Sequence, residues 1–151
     1  MKITRKWLEK KKACQDGKEW YLANCPENPI DGIKGLMKGE KYGWANWLIV
    51  RVMNYKQYVS YAVFAAEQVI YIFEKKYTDN KRPREAIEAA RLCIANPSEK
   101  NRRAANAAAN AAYAAANAAN AAYAASAEEK EMQIKILEYG IGLLPKGVNN
   151  G

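Results

Sequence analysis

The chain contains no histidine. That one absence removes Ser–His and Cys–His nucleophile pairs, histidine general bases and the commonest transition-metal ligand. Any catalyst built from these residues would have to work with carboxylates, Lys, Arg or Tyr alone. Cysteine is scarce too: Cys14, Cys25 and Cys93 match no CxxC or zinc spacing, so they are expected to be reduced, small apolar residues, with no metal and no cofactor. Long apolar runs are missing. The densest, Trp47-Leu48-Ile49-Val50, is closed by Arg51, far short of the roughly 20 residues that span a bilayer. The opening Met1-Lys2-Ile3-Thr4-Arg5-Lys6 is basic but lacks the apolar stretch and small-residue cleavage site of a secretory signal. These absences lead us to expect a cytoplasmic protein with no membrane contact.

What is present is positive charge, aromatic residues and alanine. Lys and Arg number 24 against 16 Asp and Glu, a formal net charge of +8, which favours anionic partners such as nucleic acid, nucleotides or an acidic protein surface. The charge is uneven. Lys2, Arg5, Lys6, Lys10, Lys11 and Lys12 crowd the first dozen residues against only Glu9, and Lys81, Arg82, Arg84, Arg91, Arg102 and Arg103 form a second basic zone. The first cluster reads equally well as a binding patch and as a solvated surface.

At 151 residues the chain is long enough for one domain with a hydrophobic core, and one domain over 1–151, with a short tail from 145, is the expectation. Helical signals dominate and strand signals are nearly absent, which predicts an all-α helical bundle. Thr4 is placed to cap a helix reaching about Cys14, after which Asp16-Gly17 reads as a turn into a short helix carrying Trp20, Tyr21 and Leu22. Pro26, Pro29 and Gly32 suggest a loop, followed by a helical piece from about Ile33 to Lys38. From Tyr42 to Val52 the apolar density predicts a largely internal helix with Trp44, Trp47 and Arg51 on one face at i, i+3, i+7.

The next helix is predicted from about Tyr58 to Tyr77 and carries Val63, Phe64, Ala66, Val69, Ile70 and Phe73. Glu67 sits inside that apolar stretch. An unpaired carboxylate there would be costly, so Glu67 is expected to be buried and paired with Arg51, Arg84 or Arg91. After a polar turn, Pro83 suits the first position of a helix to about Ala95, with an Arg84/Glu88 pair at i, i+4 and an end at Asn96-Pro97. Ser98 then caps the most unusual segment.

From Ala104 to Ala127 nearly every residue is alanine, the best helix former. Asn106, Asn110, Tyr113, Asn117 and Asn120 interrupt it at steps of four, three, four and three, which is one stripe of period 3.5. The methyl surface suits close helix packing, so the bundle is expected to form around this long helix. Unbroken from Ser98 to Tyr139 it would span about 60 Å at roughly 1.5 Å per residue, against a domain diameter near 40 Å. A break around Ser126 to Lys130 is therefore expected, with Tyr139-Gly140 as the stop. The stripe reads either as a ligand- or partner-facing surface or as a tolerated repeat expansion.

Phe64-Ala65-Ala66-Glu67 through Ile72-Phe73-Glu74-Lys75-Lys76-Tyr77, then Asp79-Asn80-Lys81-Arg82-Pro83-Arg84-Glu85-Ala86-Ile87-Glu88-Ala89-Ala90-Arg91 and an Ala-rich helix, resembles a bacterial and phage family of immunity proteins marked by an FE…RPR motif. The likeness covers roughly Trp44 to Tyr123. Thr78 stands where that family's turn often has Pro, and Asn and Tyr replace the histidines many members carry in the Ala-rich helices. The resemblance implies neutralisation of a toxin or defence component by binding.

Three functional readings follow. The leading one is a non-enzymatic immunity or anti-defence inhibitor, of bacterial or phage origin, that binds a toxin or defence protein or its signal. The second is a protein that sequesters a small anionic, nucleotide-like ligand: Arg51, Arg82 or Arg84 would hold phosphates, a Trp or Tyr would stack a base, and the Asn stripe would read polar edges. The third is nucleic-acid binding, for which the charge fits without a recognised motif. A pocket lined by the arginines and aromatics would favour the second reading, and an exposed basic or aromatic face the first.

Overall fold

The structure, a computed structural model, describes residues 1–76, 78–79, 81–96, 98–103, 106 and 127–145. It is all-α: helices and connecting turns account for the described residues, and no strand occurs among them. No helix among them is long and apolar enough to cross a membrane. Where the sequence suggests one domain, the chain divides into two compact units, Met1–Met53 with Gly140–Gly151, and Asn54–Tyr139.

The first unit is built from four short helices. In α1 (Arg5–Lys10) the Thr4 hydroxyl accepts from the Trp7 amide at 3.3 Å, as the capping signal predicts. The helix stops at Lys10 rather than near Cys14, because Lys12 takes a left-handed conformation (φ 58°) and the Ala13 amide turns back to the Leu8 carbonyl at 2.9 Å. Asp16 and Gly17 form no turn and lie in the first turn of α2 (Gln15–Asn24), where an acidic residue suits the helix dipole. The supposed loop at Pro29 and Gly32 is also helical. Asn28 accepts from the Ile30 and Asp31 amides at 2.9 and 3.2 Å, Pro29 occupies the first turn, and α3 runs Pro29–Lys38.

Gly32 is there for space rather than for a bend. A β-carbon at this position would stand 1.9 Å from the Tyr21 hydroxyl oxygen, so α2 and α3 approach only because the side chain is missing. The last helix of the group, α4 (Tyr42–Val52), has the bounds the apolar density predicts. It buries Ala45, Leu48 and Ile49 in a core shared with Ile3, Leu8, Tyr21, Ile33 and Leu36.

The second unit centres on a hairpin of α5 (Tyr55–Lys76) and α6 (Arg82–Ala95). Val59, Val63, Ala66 and Ile70 of α5 bury against Ile87, Ala90 and Cys93 of α6. The side chains of Val69 and Phe73 lie outside the described residues. After α6, Ser98 caps the following turn by accepting from the Asn101 amide at 3.1 Å, and residues 99–103 are helical. The last described helix, α7 (Ala127–Leu143), passes through Gly140, so the expected stop at Tyr139-Gly140 falls at Leu143 instead. Residues 127–130 belong to it, while Ser126, at the start of the expected break, and nearly all of the alanine tract lie outside the described residues. Phe64 of α5 stacks on Tyr139 of α7 with ring centroids 3.9 Å apart.

Candidate functional site: a cationic tryptophan cluster

All four tryptophans, Trp7, Trp20, Trp44 and Trp47, belong to the first unit. They pair edge-on and tilted: Trp7 with Trp47 at 6.4 Å between centroids and 89° between planes, and Trp20 with Trp44 at 6.1 Å and 53°. Each pair carries cations. Lys41 lies 5.4 Å from the Trp44 centroid and 5.9 Å from that of Trp20, Lys11 lies 5.8 Å from Trp7, and the Arg51 guanidinium stacks 4.0 Å over Trp47. Such contacts stabilise by about 0.5–1 kcal/mol each at half-exposed sites. The predicted face of Trp44, Trp47 and Arg51 therefore exists, and Arg51 is held there twice, because it also donates to the Trp47 carbonyl at 2.9 Å.

Beneath Trp44 and Trp47 the four helices leave a cavity of about 180 Å³. Tyr21, Leu8, Leu36 and Leu48 supply its apolar walls, with Gly17 and Ala13 between them. Tyr21 is buried and donates its hydroxyl to the Pro26 carbonyl at 2.9 Å; burial, with Cys25, Asp31 and Glu27 nearby, pushes its ionisation well above the usual phenol range. Lys12 and Cys14 line the same cavity yet are exposed, so it meets solvent on their side. Burial also raises the Cys25 thiol. All three cysteines are free thiols.

Of the basic cluster in the first dozen residues, Lys12 lines the cavity and Lys11 lies over Trp7. Arg5, Lys6, Lys10, Lys11 and Lys12 are exposed, and none of them forms an ion pair with a described residue. Lys2 pairs with Glu27 at 3.2 Å, and Glu9 pairs with Lys18 at 3.5 Å. Among the described residues, no ion pair thus offsets the excess of positive charge that these five side chains bring to α1 and the turn that follows it.

The second basic zone is organised differently. Arg84 donates Nε and Nη2 to the two carboxylate oxygens of Glu74, each at 2.7 Å, a fork that ties α6 to the end of α5. It lowers the Glu74 carboxyl and raises the Arg84 guanidinium from their ordinary values. The i, i+4 partner expected for Arg84, Glu88, pairs instead with Arg91 at 3.5 Å. Glu67 meets Arg91, one of its three expected partners. The expectation of burial fails: the Glu67 side chain is 30% exposed and Arg91 53%, because the pair sits at the rim of the α5–α6 seam rather than within it. An open hollow beside Arg84 and Lys81 also presents Glu74, Glu85 and Glu88, a poor setting for a phosphate.

Arg82 opens α6, and its side chain lies outside the described residues. Asn106 is exposed, and Asn110, Tyr113, Asn117 and Asn120 lie outside the described residues. The structure thus brings Trp44, Trp47 and Arg51 together, and places Glu67 and Arg84 in separate ion pairs. Sequence reading missed Trp7, Trp20, Lys11 and Lys41 as parts of the cluster. The available signal was that every tryptophan falls in the first 47 residues, which also hold 10 of the chain's 24 lysines and arginines, Lys11 and Lys41 among them.

Among the described residues no group of three or more Cys, Asp or Glu could hold a metal ion. No characterised protein and no solved structure matches the chain. Residues 32–137, more than half of its length, match a family described as of unknown function, DUF6931, and the chain belongs to that family.

Proposed function

We propose that this member of a family without an assigned activity is a non-enzymatic, cytoplasmic immunity or anti-defence protein, bacterial or phage-encoded, that neutralises a toxin or defence protein by binding it. The observation that carries the reading is the exposed set Arg5, Lys6, Lys10, Lys11 and Lys12, without an ion pair among the described residues, beside a tryptophan cluster. Uncompensated charge steers an acidic protein into encounter, and half-exposed Trp and Arg are the side chains that most often dominate interface energies. The resemblance of the FE…RPR segment to immunity proteins points the same way. Nucleotide sequestration has less support. The cavity of about 180 Å³ is apolar and below the roughly 300 Å³ where ligand pockets begin. The guanidinium groups of Arg51 and Arg84 are already engaged by Trp47 and Glu74.

Native mass spectrometry of the protein purified from its source cells tests the reading. An acidic protein subunit should be retained at low salt and released as salt rises. The triple charge reversal Arg5→Glu, Lys6→Glu, Lys10→Glu should lose that subunit and the associated protection while its circular dichroism stays helical. A retained nucleotide or nucleic acid in place of a protein subunit would overturn the proposal.

A further inference from the structure

We infer that the cavity beneath Trp44 and Trp47 receives an aromatic side chain of the partner, so that the recognised epitope is a phenylalanine flanked by aspartate or glutamate. This deepens, and rests on, the reading of the basic α1 region as a docking face.

Size sets the occupant. A cavity of about 180 Å³ compares with the roughly 150 Å³ of an engineered cavity that holds one benzene, so it admits a single six-membered ring and the methylene that carries it. The walls suit a ring: Trp44, Trp47 and Tyr21 present aromatic surfaces and Leu8, Leu36 and Leu48 present methyl groups, and aromatic pairs gain beyond their buried area. The Tyr21 hydroxyl already donates to the Pro26 carbonyl, and among the described residues no other buried polar side chain lines the cavity to call for a polar ligand.

The opening sets the flanks. Among the described residues Lys12 is the only charged one lining the cavity, and it follows the exposed cations Lys10 and Lys11. Lys12 holds its place in a left-handed backbone conformation that favours glycine or asparagine. A freely diffusing hydrocarbon would fill the cavity without using this charge. A ring projecting from an acidic segment uses both, with its carboxylates opposite the lysines and its side chain as the buried anchor.

The test uses the full chain and two synthetic pentapeptides, Asp-Glu-Phe-Asp-Glu and its Phe→Ala counterpart, blocked at both ends. The Phe peptide should bind at least about tenfold more tightly, perturb tryptophan fluorescence, and slow alkylation of Cys14 by iodoacetamide, read by peptide mass mapping. Ala13→Phe places a ring of the protein's own in the cavity and should abolish the preference for the Phe peptide while leaving the affinity for the Ala peptide. Wild-type protein carrying a benzyl mixed disulfide on Cys14 should behave the same way, which keeps the test available if Ala13→Phe does not fold. Equal affinity for the two peptides, unchanged Cys14 alkylation at saturating Phe peptide, or benzoate binding as tightly as the Phe peptide would each overturn the inference. The two proposals fail separately. If an acidic partner is retained and Ala13→Phe leaves its affinity unchanged, the anchor is wrong and the docking face stands; if the α1 charge reversal leaves the partner bound, the docking face itself is wrong.

Discussion

The two units solve helix docking with different materials. In Met1–Met53 large rings meet missing side chains: Tyr21 against Gly32, and Trp20 against Gly39, where a β-carbon would stand 2.5 Å from the indole. In Asn54–Tyr139 small and branched aliphatic residues form the α5–α6 seam, and Glu–Arg pairs close its rim. The contrast concerns tolerance. A ring in a notch is a shape match that fails with one added carbon, whereas an aliphatic seam with charged edges loses its parts gradually.

The largest effect is expected of Gly32→Ala. The added methyl overlaps the Tyr21 phenol, and overpacking of this kind costs about 1–3 kcal/mol against roughly 1 kcal/mol regained in helix propensity. With the β-carbon 1.9 Å from the hydroxyl oxygen and 2.7 Å from the ring carbon that bears it, the overlap is severe, so urea unfolding should show a net loss of about 1–2 kcal/mol, and the pair Tyr21→Phe with Gly32→Ala should recover part of it, because removing the hydroxyl reopens the notch. A Gly32→Ala chain as stable as the parent would show that the rings yield as easily as the aliphatic seam.

A smaller effect is expected at the rim of the second unit. Glu67→Gln should cost no more than about 1 kcal/mol, because the pair with Arg91 is partly exposed and screened by water and salt. A loss of 3 kcal/mol or more would mean a buried pair of the kind the sequence suggests.

The smallest effect is a pH dependence. The Arg84 fork lowers the Glu74 carboxyl in the folded chain below its ordinary value of 4.5, so the folded state binds that proton less readily than the unfolded one. The pair's contribution is present above about pH 4.5 and is lost as pH falls through the lowered folded value. Thermal unfolding from pH 6 down to pH 3 should show this decline in the wild type and a shallower one in Glu74→Gln; parallel curves would remove the linkage.

Local chemistry was readable in the sequence. The Thr4 and Ser98 caps, the bounds of the Tyr42–Val52 helix and the pairing of Glu67 with an arginine each depend on residues close along the chain or on one strong energetic demand. Gly17 and Gly32 misled because a glycine that breaks a helix and one that admits a neighbouring ring are spelled alike; only the position of Trp44 or Tyr21 separates them. The depth of Glu67 misled for a related reason: apolar neighbours along a helix do not say on which side of the stripe the carboxylate leaves. Of the candidate site, Trp44, Trp47 and Arg51 were visible as one helical face. Their partners Trp7, Trp20, Lys11 and Lys41 were not, since these contacts close between helices rather than along one.

Lys12 and Glu40 share an unusual backbone, each with φ near 57–58° just past the end of a helix, and in both cases the next amide reaches back to the helix: Ala13 to Leu8 and Lys41 to Leu36. Glycine is the ordinary occupant of such a position, and a charged side chain there carries a standing conformational cost of about 1 kcal/mol. A lineage drifting under selection for heat resistance alone would exchange both for glycine. At Glu40 nothing lining the cavity would be lost, whereas at Lys12 the gain in robustness would remove the charge at the cavity's opening. The durability of a lysine at position 12 across descendants therefore becomes a historical record of whether that opening was ever in use.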